Sequence, residues 1–130
     1  MSKGQVSPQE MFNFIESELI ESISLLDKKQ GTGGNKIKQG QWNQAGAAAL
    51  LVRLYLNAEK WIGTPKYTEC ATYAQKIIDG EYGTYSIADR WDAPYDWNND
   101  TCDEVIYAFT CALTRARHHY DNSMYWWSLP

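Results

Sequence analysis

Near the start of the chain, apolar residues return every third or fourth position. Phe12, Ile15, Leu19, Ile23 and Leu26 fall on one face of a helix. Ahead of them stands Ser7-Pro8-Gln9-Glu10. Ser7 can cap, Pro8 suits a first helical position, and Glu10 can reach back to complete a capping box. The pattern predicts a helix over about residues 8–28, with Lys28 and Lys29 at its C-terminal end, where positive charge is favoured.

A second helix is predicted over about residues 43–60, with Asn43 as its N-cap. Ala45, Ala48, Val52 and Tyr55 make one stripe on it; Ala47, Leu50, Leu51, Leu54 and Ala58 make another. Two apolar stripes require neighbours on more than one side. Arg53 and Asn57 are the polar exceptions and need partners or water. A third helix is predicted over about 65–79, with Thr64 as cap and Pro65 in its first position. Tyr67, Ala71, Ala74 and Ile78 form its packing face, flanked by Cys70 and Ile77; Lys76 occupies the last turn and Gly80 is the stop. So short a link between the second and third helices predicts an antiparallel hairpin. Trp42 to Gly80 is about one tetratricopeptide unit long, and Trp42-x-x-Ala45-Gly46 fits that repeat's opening loosely. No second copy follows.

Residues 81–130 break the helical period. Residues 88–103 predict a short helix or turn and then an acidic, aromatic loop. Glu104–Ala112 is apolar and β-branched near its start, which predicts an extended, buried segment. The rest has no period and stops on Trp126, Trp127 and Pro130 without a closing element. The expectation is one partial domain over 1–130, a fragment of a longer protein. Its fold class is mainly α: a tetratricopeptide-like helical hairpin scaffold with an irregular aromatic and acidic C-terminal part.

Composition sharpens this. Hydrophobic residues make up 44% of 130, enough for a core. The net charge of -4 gives no general attraction for nucleic acid. Acids cluster, with Asp89, Asp92, Asp96, Asp100, Asp103 and Glu104 set against Arg90 alone. Aromatics run to 6 Trp and 9 Tyr against 3 Phe, a bias toward rings with a polar handle that suits contact surfaces as well as cores. Cys70, Cys102 and Cys111 form no CxxC, and their odd number cannot all pair internally. The Gly-rich stretch 30–36 lacks phosphate-loop spacing. His118 and His119 are adjacent and point to different sides, a poor zinc pair. No nucleophile–base arrangement or defined carboxylate pair stands out, so catalysis is not expected.

Two candidate sites remain. Asp96-x-Asn98-x-Asp100 has the spacing of the first ligands of a calcium loop, without the Gly and the distant Glu of an EF-hand. Asp103 and Glu104 could add oxygen ligands. Tyr120, Tyr125, Trp126 and Trp127 could make a flat platform for sugar rings, with Asp121 and Asn122 bonding hydroxyls. Burial of these rings against further chain is the competing reading.

Taken in order, "FNFIESELIESISLL", a Gly-rich loop, "GQWNQAGAAALLVRLYLNAEKW", "YTECATYAQKIIDGEYGTYSIADRW" and "DEVIYAF" resemble the SusD-like (RagB/SusD) family. The strongest marks are "AAALLVRLYLNAE" and "YAQKIIDGEYGTY". The resemblance implies a surface lipoprotein of Bacteroidetes that binds glycans or other nutrients and passes them to a SusC-like TonB-dependent transporter. It implies a binding protein and not an enzyme, held at the outer membrane by a lipid anchor on the full-length chain. It implies no required cofactor; some relatives carry a structural Ca2+ in the acidic loop, and Asp96, Asn98 and Asp100 fall in the matching region here. The alternative is a tetratricopeptide-type module that binds another protein in its hairpin groove.

Overall fold

The computed structural model describes residues 4–30, 40–96 and 98–108, and of Asp100 the backbone alone. The fold is mainly α. Its helices are α1 (Pro8–Leu25), α2 (Gln44–Leu56), α3 (Ala58–Ile62) and α4 (Tyr67–Ile78). Among the described residues there is no strand.

The helix starts of α1 and α2 follow from their caps. Ser7 Oγ accepts from the Glu10 N–H, and the Glu10 carboxylate accepts from the Ser7 N–H at 3.0 Å. These bonds hold the Glu10 carboxyl below the usual carboxylate range. Asn43 Oδ1 accepts from the Gly46 N–H at 2.9 Å, and this cap is itself buried. A side chain at Gly46 would crowd the Trp42 ring, which lies 3.0 Å from where a Cβ would stand.

α2 is the central helix. Its C-terminal half, with Leu51, Leu54 and Tyr55, joins Ala58 of α3 in meeting Phe12, Ile15 and Leu19 of α1 and Cys70 and Tyr73 of α4. Its N-terminal half, with Ala45 and Ala48, meets Ile23 and Ile77. Early residues of α1 and α4 thus face the end of α2, and late ones its start, so both run antiparallel to it. Alanine at 45 and 48 lets the neighbours come close, and Leu51 is fully enclosed. Burying one such leucine contributes about 2 kcal/mol. The ends are tied as well: Gln44 donates from its N–H to Asp27 O at 3.0 Å and from Nε2 to Leu26 O at 2.8 Å.

Several expectations need correction. α1 ends at Leu25, before the lysines, with Leu26 already extended. The second helix does not run unbroken to residue 60. Asn57 leaves helical geometry, its Nδ2 donating to Arg53 O at 2.8 Å, and the chain restarts as the short α3. The latter ends at Gly63 in the left-handed region, φ 72. The two apolar stripes are covered as expected, with Ala45, Ala47, Ala48, Leu51, Leu54, Tyr55 and Ala58 buried and Val52 half-buried; of their members Leu50 is exposed. α4 starts at Tyr67 with Lys66 as its cap, leaving Thr64 and Pro65 outside. Lys66 is drawn toward α1, where its Nζ meets Glu16 Oε1 at 3.1 Å and lies 5.5 Å from the Tyr55 ring. The packing face of α4 is Cys70, Tyr73, Ala74 and Ile77; Tyr67, Ala71 and Ile78 face outward. The extended segment expected from Glu104 opens with a turn, Val105 N–H to Cys102 O, and makes no ladder among the described residues.

Candidate functional site

The segment after α4 carries most of the described polar chemistry. Gly80 at φ 75 ends the helix, as its sequence position predicts. Tyr82 then turns inward onto Ala45 and Ala48 and is 4% exposed. Gly83, at φ 120, brings its backbone against Lys29, whose N–H donates to Tyr82 O at 3.2 Å. A Cβ on Gly83 would stand 2.6 Å from Lys29 Cβ and 2.8 Å from Lys29 O. Only glycine lets these two chain segments touch.

Lys29 is the node of the site. Its Nζ reaches Asp103 Oδ1 at 2.7 Å and the Asp103 carbonyl at 3.4 Å, and lies 4.5 Å from the Tyr85 ring centre. Tyr85 accepts in turn from Asn43 Nδ2 at 3.3 Å. Burial pushes the hydroxyls of Tyr82 and Tyr85 above the ordinary tyrosine range. Two further bonds close the base of the loop: Ser86 N–H to Asp103 O at 3.4 Å and Ala88 N–H to Glu104 Oε2 at 3.0 Å. Residues 82–88 and 103–104 are therefore held side by side, and the chain between them forms a closed loop.

Two single 3-10 turns, Ala93–Tyr95 and Asn99–Thr101, shape that loop. Arg90 stiffens it. Its Nε donates to Asp92 Oδ1 at 2.9 Å, and its Nη1 lies 3.2 Å from Asp96 Oδ2. The bond with Asp92 raises the Arg90 pKa and holds the Asp92 carboxyl low. The loop encloses a cleft of about 520 Å³, lined by Ser86, Asp89, Arg90, Asp96, Asn98 and Asp103 among others. Trp91 and Tyr95 each adjoin lining residues in the chain and are 88% and 82% exposed. A polar floor with large exposed rings beside it can bond hydroxyls and cover an apolar face at once.

Of the residues singled out from sequence, Asp96 and Asn98 line this cleft. Asp100 lies in the second 3-10 turn. The acids at 92 and 96 sit on Arg90, and Asp103 sits on Lys29. Among the described residues no three His, Cys, Asp or Glu side chains are gathered as a metal site. Tyr120, Asn122, Tyr125, Trp126 and Trp127 lie outside the described residues, as does Cys111. The Cys70 thiol donates to Val52 O, and Cys102 lines the cleft. Sequence reasoning passed over Lys29, Gly83, Trp91 and Tyr95. The last two carried a signal, being aromatic residues set in a stretch too polar to bury them. Lys29 carried none, because its partner is 74 positions away.

A second cavity, about 490 Å³, lies between α1 and the α3 end of the hairpin. Pro8, Met11, Phe12, Ile15, Leu54 and Trp61 line it, with Lys60 as its only charged group. It offers apolar area and little to orient a polar ligand. No helix among the described residues is long and apolar enough to cross a membrane.

No family model matches the chain. The chain is similar to the starch-binding protein SusD of Bacteroides thetaiotaomicron, with 28% identity over 99 residues. The match covers 75% of this chain and 17% of that protein, so the chain spans about a sixth of the relative's length. The likeness supports a SusD-like relationship.

Proposed function

We propose that the chain is part of a SusD-like surface protein that binds a glycan or related nutrient and delivers it to a SusC-like TonB-dependent transporter. The observation that carries this reading is the similarity over three quarters of the chain to a protein that binds starch. The helical layer fits a scaffold: its apolar residues face one another, and the cleft is hung from it through Lys29 and Tyr85. The work is capture and not turnover. Affinity comes from rings stacking on sugar faces together with hydroxyl hydrogen bonds, each contributing about 1 kcal/mol.

In this reading the full-length protein sits at the outer membrane, exposed at the surface and held by a lipid anchor. Tyr120, Tyr125, Trp126 and Trp127 form a stacking platform with Asn122 as a hydroxyl partner. Ca2+ is a structural ion on Asp96, Asn98 and Asp100, whose hard oxygens suit it; Asp96 would then exchange Arg90 for the ion.

Genetic context and co-purification test the transporter partnership. A gene for a TonB-dependent transporter is expected beside the encoding gene, and the transporter should copurify with the full-length protein from outer membranes. A gene with no such neighbour, and a protein that purifies without a transporter, would contradict that part of the reading.

A further inference from the structure

We infer that the cavity between α1 and the α3 end of the hairpin binds a small amphiphilic acid, an apolar body carrying one carboxylate, with Lys60 as the partner of the carboxylate. This goes beyond the glycan reading and does not rest on it.

The cavity suits an apolar body. Its volume of about 490 Å³ falls within the range of small-ligand sites. Phe12 and Leu54 are buried members of the core and make its floor, while Pro8, Met11 and Trp61 are exposed and make its rim. Both walls are fixed before a ligand arrives. Pro8 and Met11 stand in the first turn of α1, which the Ser7 and Glu10 bonds lock. Trp61 stands in α3, whose end is closed by the Gly63 N–H bond to Glu59 O at 3.0 Å. A preformed site loses little freedom on binding, and the Met11 thioether can adapt to an irregular chain. A concavity of this size holds one small molecule, whereas a stable protein contact needs about 20–30 residues a side.

Hydrogen bonding and charge choose the head group. Among the lining side chains only Lys60 Nζ and Trp61 Nε1 are nitrogen or oxygen atoms, and both only donate. A hydroxyl or amide head would leave its own donor without a side-chain acceptor there; a carboxylate only accepts. Lys60 makes no ion pair or side-chain hydrogen bond among the described residues. Its nearest acids in the chain and on α1 are committed elsewhere: Glu59 to Tyr67, Glu10 to Ser7 and Glu16 to Lys66. An unpaired ammonium therefore stands beside apolar area. It attracts an anionic head and repels a cationic one.

Calorimetric titration of the full-length protein with monomeric decanoate provides the test, with decanol and decylammonium as probes of the head group. The proteins are the wild type, Lys60→Met and Met11→Glu. Both side chains are exposed, so unchanged circular dichroism is expected. The wild type should bind decanoate about fivefold more tightly than decanol, and decylammonium most weakly. Lys60→Met keeps an apolar stem and should bring decanoate to the decanol level while leaving decanol unchanged. Met11→Glu sets a carboxylate at the rim and should remove decanoate binding. Decanoate binding that neither variant alters lies elsewhere and overturns the inference. Equal affinity of the wild type for decanoate and decanol overturns the carboxylate assignment. No decanoate binding by the wild type overturns the site, as when further chain or a second copy covers the cavity. The glycan reading stands in each case.

Discussion

Replacing Gly83 by alanine would place a methyl group in contact with backbone that cannot rotate away. The new Cβ would stand 2.6 Å from Lys29 Cβ, 2.8 Å from Lys29 O and 2.9 Å from Lys29 N. The backbone at φ 120 is also closed to an alanine without strain. Strain of this kind costs about 1–3 kcal/mol, and an overfilled contact adds a similar amount. The loop can escape only by lifting off Lys29, which breaks the Lys29 N–H bond to Tyr82 O. A loss of about 2–5 kcal/mol follows for the unit that contains this contact. Gly63 is the control, because it has φ 72 but nothing within 4 Å of its would-be Cβ. There only the left-handed conformation matters, at about 1–2 kcal/mol. Urea unfolding of both variants, with amide exchange at Lys29, measures the difference. Gly83→Ala should be the more damaging and should expose the Lys29 amide. Equal losses in the two variants would refute the close approach.

Three further outcomes follow from the same contacts. Lys29→Met keeps the aliphatic stem but leaves Asp103, whose side chain is 18% exposed, without its ammonium partner; a loss of about 1–3 kcal/mol is expected. A double-mutant cycle with Asp103→Asn should return a coupling near 1 kcal/mol, and a coupling near zero would remove Lys29 as the node. Burial raises the pKa of Tyr55, Tyr82 and Tyr85 above 10.0, so the unfolded chain releases these protons first. Stability should be level below that pH and fall as pH rises through it, read by unfolding midpoints beside tyrosinate absorbance. Ionisation of these tyrosines with no loss of stability would contradict their burial. Ca2+ should raise the melting temperature of the full-length protein, and Asp96→Asn should abolish the rise; the same melting curve in calcium and in chelator would remove the ion from the account.

Local rules carried the helices. Ser7 with Glu10, Asn43 and Gly80 each act on groups within a few residues, so their roles can be read from order alone. Failures came where a distant group decided the outcome. Pro65 was expected to open the third helix, yet Lys66 became the cap, and its ammonium reaches Glu16, 50 positions away. The face of α4 was misplaced by about a residue because Tyr67 bonds Glu59 beside it and stays outside. The cation partners of the acidic loop were not legible either: Arg90 pairs with Asp92 and Asp96, and Lys29 with Asp103. The spacing of acids along a chain says nothing of which cation will fold against them. The cleft itself was illegible, since it exists only once Lys29 and Asp103 meet.

The central claim is that this chain belongs to a protein that holds glycans without cleaving them. Incubating the full-length protein with starch and with xylan, mannan and galactan tests it most directly, with calorimetry for binding and reducing-end release for turnover. Saturable binding to at least one polysaccharide with no release of reducing ends is the predicted result. Release that disappears on changing a single acidic residue would make the protein an enzyme, and absence of binding across the set would contradict glycan capture.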